Sequence, residues 1–498
     1  MPKFFITTAI DYPSSRPHLG HAYEKICADV IARYKRLNGF DVHFSTGTDE
    51  HGMKIQRCAA KAGKTPRQFV DGMVVHFKEL CRELNISYDD FIRTTEPRHI
   101  KVAQEIFRRI HEKGEIYKSQ YEGLYCVECE TYYLRKDLKD DKCPVHGKEP
   151  EMVREESYFF RMGKYQQKLI EHIKKNPDFI RPESKRNEIL SRLKEPLKDL
   201  SVTRTSFDWG IKVPMDGKHI QYVWMDALIN YLSTVGWPGP ESRKFWPADV
   251  HLIGKDIVWH HTVIWGSILM SAGVELPRTV FVHGFVNIKG EKMSKSTGTV
   301  VDPLRLVAKY SADPLRYFLI SEIPFGEDGD FSEDSLVTRN NSELADILGN
   351  LVNRVLTFVY NKCDRKVPEP SDYDSLDEKL VHNMKSCTDE AGKLMDNLQL
   401  QEALDRIMML AKSGNEYFQT KEPWKGESAN CLYLGANLIR SLAILMEPFI
   451  PGSAEKMWQF LNLPGSVHRQ KWESAGGPGV KPGHTIKKPE PLFRKFKD

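Results

Sequence analysis

At 498 residues the chain exceeds what one core usually holds, so two to four domains are expected, each with a sizeable core of its own. Its 72 basic and 68 acidic side chains leave a net charge of +4, too small to mark a nucleic-acid binder by charge alone. No run approaches 18 consecutive apolar residues, the N-terminus lacks a signal or transit pattern, and the nine scattered cysteines exclude a disulfide scaffold; a cytoplasmic protein without a membrane partner is the expectation.

The chain opens with an apolar, β-branched run, Phe4-Phe5-Ile6-Thr7-Thr8-Ala9-Ile10, which reads as a strand. A Pro/Ser-rich loop, Asp11 to Pro17, follows, and then Ala22, Ile26, Val30, Tyr34 and Leu37 recur at helical spacing up to Gly39. Pro17 suits the first turn of that helix, so His18 and His21 of His18-Leu19-Gly20-His21 sit among unpaired backbone N–H groups at a helix start, the outline of a phosphate site. Alone, the pattern fits a buried helix start with two incidental histidines equally well.

Next comes an alternating strand, Asp41 to Thr48, ending in Asp49-Glu50-His51-Gly52. In a parallel sheet the ligand crevice lies beyond the carboxyl ends of the strands, so Asp49 would face the same cavity as the two histidines and suit an ammonium group; a turn or helix-cap role is the alternative. Residues 66 to about 114 read as two helices joined near Asn85, with a short extended piece, Phe91 to Thr95, between them.

Cys126-x-x-Cys129 and Cys143-x-x-His146, separated by 13 residues, have the ligand spacing of a closed tetrahedral shell, the arrangement of structural rather than catalytic zinc. The surrounding 115–217 segment, rich in charge and short strands, reads as an insertion into an α/β core. Regular α/β character returns at Gln221 to Ala227, before a helix bearing Leu228, Tyr231 and Leu232, and at Asp249 to Asp256, before a helix bearing Val258, His261 and Trp265. Both are expected to complete a doubly wound parallel sheet. A further buried strand, Val280 to Val286, leads into Gly290-Glu291-Lys292-Met293-Ser294-Lys295-Ser296-Thr297-Gly298, a cationic loop suited to a phosphate that gains charge during reaction. From about residue 346 the pattern is helical, punctuated by Pro423, Pro448 and Pro451, and the Gly/Pro/Lys-rich tail from Gly476 to Pro491 reads as extended.

His18-Leu19-Gly20-His21 and Lys292-Met293-Ser294-Lys295-Ser296, in that order and far apart, resemble the HIGH and KMSKS signatures of class I aminoacyl-tRNA synthetases. The stretches around them resemble the methionyl-tRNA synthetases, over essentially the whole chain. Isoleucyl, leucyl and valyl enzymes share the signatures but carry a much larger editing insertion, and a nucleotidylyltransferase, which shares the histidine signature, would have little use for so long a helical tail.

The resemblance implies a Rossmann-type catalytic domain in two halves, 1–114 and 218–290, a zinc-bearing connective insertion at 115–217, a KMSKS loop and linking segment at 291–345, and a helical anticodon-binding domain at 346–498. It implies methionine, ATP and tRNA as partners, a methionyl-adenylate intermediate, Mg2+ with the ATP, and one structural Zn2+ on Cys126, Cys129, Cys143 and His146. Methionine would be enclosed by Ala9, Ile10, Tyr12, Asp49, Trp224, Ala227, Leu228, Tyr231, Ile257 and His261, and an aromatic-rich pocket suits a polarizable thioether. ATP would meet His18, Gly20, His21, Gly254, Asp256, Val286 and Lys295, with Lys292 and Lys295 offsetting charge on the leaving pyrophosphate. Asn350, Arg354 and Trp424 match the positions at which the family reads the anticodon. Leu19 in place of isoleucine conserves volume. Asp11 stands beside the pocket where the family more usually has an uncharged residue. The chain ends without the extra tRNA-binding module of some members, which a separate protein would supply in trans.

Overall fold

The structure, a computed structural model, describes residues 1–133, 135–144, 147–288, 290–292, 301–426 and 429–497. His146, Lys295 and most of the second signature therefore lie outside the described residues.

The organising element is a six-stranded parallel sheet. Its strands in chain order are β1 (Lys3–Thr8), β2 (Asp41–Thr48), β3 (Asp90–Arg93), β4 (Ile180–Arg181), β5 (Val250–Gly254) and β6 (Thr279–His283), and in space they run β3-β2-β1-β5-β6-β4. β1 and β5 are buried along nearly their whole length because helices or loops cover both faces, as parallel sheets require. Along β5 and β6 the alternation divides the core: Leu252 and Phe281 pack on the face carrying helix α1 (Leu19–Leu37), and Ile253, Val280 and Val282 on the face carrying Ile106, Trp265 and Leu269. From β1 the chain leaves through α1 to β2 on one side, while β5 lies on the other. The crevice at this switch point opens beyond the carboxyl ends of β1 and β5.

Two expectations need correction. Gln221 ends a strand, Asp216–Gln221, of a separate antiparallel sheet with Lys212–Val213 and Thr203–Arg204, and Val223–Ala227 is already helical, so this stretch adds no strand to the parallel sheet. The aromatic and β-branched run Tyr222-Val223-Trp224 resembled a strand, but its side chains pack as a helical turn around the crevice. The 115–217 segment, in turn, is more than an insertion: β4 comes from within it and pairs with β6, at Val280 opposite Ile180. The rest of the segment is dominated by an antiparallel sheet in which Ile116–Cys126 pairs with Glu151–Phe160 over most of its length.

Glu333 to Lys362 forms an unbroken helical run, so the junction read at residue 346 falls within a helix rather than a linker. Helices Ser375–Asp396, Leu400–Lys421, Ala429–Met446 and Pro451–Phe460 complete the C-terminal part. Its Leu351, Leu432 and Leu442 belong to the same continuous core as Ile6, Ile26 and Val30, so the helical part and the sheet are stabilised as one body. Among the described residues one helix, Ala429–Met446, is long and apolar enough to cross a bilayer, and 89% of it is buried inside this core. The tail is extended, as read, and pinned across the helices by Val480, Ile486 and Leu492 and by Ile486 N–H donating to Arg365 O at 2.8 Å.

Candidate active site

The two signature histidines start α1 and hold its first turn. Gly20 N–H donates to His18 Nδ1 at 3.1 Å, and His18 N–H donates to His21 Nδ1 at 2.9 Å, a capping box built from imidazoles. A backbone N–H can only donate, so both Nδ1 atoms accept, and in the neutral rings the proton sits on Nε2. The ring centres lie 3.8 Å apart at 36°, and the Phe77 ring stands nearly perpendicular to that of His21 with centres 5.5 Å apart. Each presents an N–H donor at the mouth of the switch-point crevice, where the helix dipole also favours an anion.

The backbone on both sides of the cationic loop reaches this place. Lys292 pairs with Asn287 beside β6, and Val301 O accepts from Leu19 N–H, the first residue of α1, at 3.2 Å. Val301, which follows the cationic loop, thus meets the first residue of α1, while Lys295 is outside the described residues. Gly254 ends β5 at the same crevice, Asp256 follows on an exposed turn, and Val286 is buried just after β6.

Asp49 closes β2 beside it. The residue is 8% exposed, its backbone N–H donates to Asp11 O at 2.8 Å, and its Oδ1 is buried without a hydrogen-bond partner among the described residues. Burial, followed by the Asp226 and Glu130 carboxylates, pushes its pKa well above the usual carboxylate range. The neighbouring acids are all satisfied. Glu50 accepts from Thr48, Arg93 and Thr95, and Asp226 accepts from His51 Nδ1 and His99 Nε2, both at 2.7 Å. Burial alone would raise the pKa of Asp226, but the two imidazoles override it and hold it below the usual value. Glu130 accepts from Lys54 N–H at 2.8 Å and from the Tyr125 hydroxyl, with the Tyr12 hydroxyl 3.0 Å away. This crowding explains Gly52, whose φ of +105° favours glycine and where a Cβ would fall 2.6 Å from the Tyr12 hydroxyl and 2.7 Å from Glu130 Oε1.

Across the cavity lie the aromatic residues. Tyr231 donates to His261 Nε2 at 2.7 Å, because His261 Nδ1 donates to Ile257 O at 3.0 Å and leaves Nε2 as the acceptor. Burial lowers the His261 pKa to about 4, so this ring is neutral at physiological pH. Trp224 stacks on His260 at 3.9 Å and meets His261 edge-on, and its Nε1–H is buried without a partner among the described residues. Burial foremost raises the phenol pKa values of Tyr12 and Tyr231, and the Asp49 charge adds to both. Ala227 and Leu228 are buried and Ala9, Ile10 and Ile257 are half-buried; Ala9, Tyr12, Trp224, Leu228, Tyr231 and Ile257 share one apolar cluster. Sequence reasoning missed His260, His51, His99, Asp226 and Glu130; the one available signal was an acid, Asp226, inside the apolar run Val223 to Ala227.

In the insertion the sulfurs of Cys126, Cys129 and Cys143 lie within 4.8 Å of one another and are positioned to bind a metal ion. At the far end of the molecule Asn350 and Arg354 face Asn415 and Gln419 across a groove of about 500 Å3, with Asn350 Nδ2 3.4 Å from Asn415 Oδ1 and Arg354 Nη2 3.2 Å from Gln419 Oε1. Trp424 is 42% exposed, with the Arg354 guanidinium 5.8 Å from its ring centre.

Comparison with known proteins decides the family. Residues 4–136 and 133–356 match the model of the class I tRNA synthetases (M), and residues 367–498 match that of the anticodon binding domain of methionyl tRNA ligase. The chain belongs to the methionyl-tRNA ligase family. It is 45% identical over 501 residues to the methionine–tRNA ligase of Caldanaerobacter subterraneus subsp. tengcongensis, covering 98% of this chain and 78% of that one. The ligase of Brucella suis is 44% identical over 506 residues, covering 99% and 98%. Mycobacterium tuberculosis methionyl-tRNA synthetase in complex with methionyl-adenylate superposes with a TM-score of 0.95 at 40% identity, covering 99% and 100%; the free form of that protein gives 0.88. As a methionyl-tRNA ligase the chain is an enzyme of aminoacyl-tRNA formation, and the doubly wound sheet and helical C-terminal domain are those of its family.

Proposed function

We propose that this ligase activates methionine through the following division of labour. Asp49 receives the α-ammonium, the wall of Tyr12, Trp224, Tyr231 and His261 encloses the thioether, and His18 and His21 donate Nε2–H to the phosphates of MgATP. Lys295, with Lys292, offsets the charge that gathers on the leaving pyrophosphate as the methionine carboxylate attacks the α-phosphorus. Gly254, Asp256 and Val286 line the adenosine site. The products of this step are methionyl-adenylate and pyrophosphate, and acyl transfer to the terminal ribose of tRNA follows. The chemistry needs placement and charge stabilisation rather than a covalent enzyme intermediate. The observation that chiefly supports this reading is the buried, unpartnered Oδ1 of Asp49 in an aromatic cavity beside two preset N–H donors. Methionine-dependent ATP–pyrophosphate exchange tests it; exchange that ignores methionine would point to nucleotidylyl transfer instead.

The metal reading is zinc. Three clustered thiols suit a structural, closed shell, with Cys126, Cys129 and Cys143 as ligands and His146, outside the described residues, as the fourth. Zinc here would supply folding energy to the hairpin. Cys143→Ser should weaken zinc binding by at least about tenfold and lower the melting temperature, read by metal analysis and calorimetry. Undiminished zinc content in that variant would refute the ligand set.

For tRNA, Asn350 and Arg354 lie four residues apart on one helix face and would hydrogen-bond anticodon bases, with Trp424 stacking on one of them. The exposure of Trp424 supports this role over core packing. Trp424→Ala is expected to weaken tRNA use in aminoacylation by about 1–3 kcal/mol while exchange without tRNA stays near wild type. Parallel loss of both activities would identify a packing residue.

A further inference from the structure

Asp11 is the charged residue that stands beside the pocket, and the structure supplies its partner. Its Oδ2 lies 2.5 Å from Lys25 Nζ, and the two side chains are 4% and 0% exposed. Lys25 follows His21 by four residues, so both project from the same face of α1. Asp11 Oδ1 lies 4.0 Å from His21 Nε2, the atom that carries the proton. The His21 ring also packs against the rings of His18 and Phe77. The Asp11 backbone is fixed at the same time, its N–H donating to Gly47 O and its carbonyl accepting from Asp49 N–H, each at 2.8 Å.

A buried ion pair is rarely more stabilising than the apolar side chains that would fit the same space, so its position is the informative feature. An isolated carboxylate here would repel a nucleotide. With Lys25 against it the pair adds no net charge to the phosphate site, yet one carboxylate oxygen still faces the imidazole donor. Burial alone would lower the Lys25 pKa, but the Asp11 carboxylate overrides it and holds it above the usual lysine value, so the ammonium stays charged.

We propose that Asp11, neutralised by Lys25, is a positioning residue for adenylate formation, holding the His21 Nε2–H donor in place at the join of β1, β2 and α1. This rests on the phosphate-contacting role given above to His21. The pair's effect on the rate runs through His21, and that separates it from a structural brace.

The test is a double-mutant cycle on methionine-dependent pyrophosphate exchange. Asp11→Asn/Lys25→Met removes both charges at similar volume; it should lower kcat about tenfold, the scale of a disturbed electrostatic contact to the transition state, with KM for methionine unchanged. On the His21→Asn background the same double replacement should change kcat by less than about twofold, because the group it positions is gone. Melting temperatures should fall in Asp11→Asn and Lys25→Met alone and recover in the double variant. Asp11→Glu, which keeps the pair but displaces the carboxylate by a methylene, should lower kcat with the melting temperature retained. A wild-type kcat in the double variant or in Asp11→Glu, or a full tenfold loss on the His21→Asn background, would overturn the proposal. A wild-type kcat in His21→Asn itself would instead overturn the role of His21.

Discussion

Asp49→Asn is expected to make the enzyme more stable and all but unable to bind methionine. The carboxylate is buried, its Oδ1 has no hydrogen-bond partner among the described residues, and the charges that act on it, on Asp226, Glu130 and Glu50, are of its own sign, opposed only by the His51 backbone N–H. Of the acids around the cavity, Glu50, Glu130 and Asp226 are already satisfied by arginine, imidazole, hydroxyl or amide donors. Asp49 is therefore the carboxylate left over for an ammonium, and it costs stability until one arrives. Asparagine keeps the shape but not the charge, and losing one partner of a buried charge pair costs about 2–5 kcal/mol, or at least about thirtyfold in methionine affinity. The sign with pH follows from the raised pKa. An acid whose folded pKa lies above its unfolded value destabilises the fold increasingly as pH rises above about 4, so the gain in melting temperature should be larger at pH 8 than at pH 5. Calorimetry on the free enzyme and equilibrium dialysis with methionine check both halves. Unchanged methionine affinity, or a lower melting temperature at pH 8, would refute the assignment.

What could be read from the sequence was whatever lies close together along the chain. The strand-loop-helix with its two histidines, the carboxylate at the end of the second strand and the paired cysteines each fall within a window where spacing carries geometry. The pocket wall was legible only through resemblance, since nothing in periodicity separates Trp224 and Tyr231 from ordinary core aromatics. The groups that satisfy one another across the fold were not legible. His51 and His99 meet Asp226 from 175 and 127 residues away, Glu130 reaches Tyr12 across 118, and only the fold brings them together. The misread strand at Gln221 to Ala227 has the same cause. A short apolar run is compatible with either period, and the tertiary surroundings made it helical. Asp11 shows the point most directly: it stood out only against the family, as a charge where an uncharged residue is more usual, and its partner Lys25 lay on a helix face whose burial the sequence did not reveal.

Arg316→Met is expected to destabilise the molecule by about 3–5 kcal/mol, more than any surface change, because it breaks a buried network from one side. The guanidinium is fully buried where the helix Ala312–Glu322, α1 and the end of Ala429–Met446 meet. It donates to the carbonyls of Phe449, Leu84 and Pro448 at 2.9, 3.0 and 2.8 Å and lies 2.8 Å from Asp29 Oδ2. Asp29 also receives Arg33, 2.7 Å away and likewise bound to Glu447, and Glu447 receives His468 at 2.7 Å. The network thus ties the helix that begins with the signature histidines to the C-terminal helical domain. Burial would raise the Asp29 pKa, but Arg33 and Arg316 override it and bring it down to about 2. A depressed folded pKa gives stability that is present above about pH 4 and lost as pH falls towards 2, about 2 kcal/mol in all. Methionine in place of Arg316 orphans the three carbonyls and leaves Asp29 with Arg33 and the two Ser87 donors, at 2.7 and 2.6 Å, so this acid-sensitive contribution should shrink along with the overall stability. The first urea transition at pH 7 and pH 3 reads both effects. Asp29→Asn/Arg316→Met should recover part of the loss at pH 7, because Arg33 then faces Glu447 alone instead of two carboxylates, while the carbonyls stay unsatisfied. A loss below about 1 kcal/mol in Arg316→Met, or a double variant less stable than the single one, would show that the network contributes little to holding α1 against the helical domain.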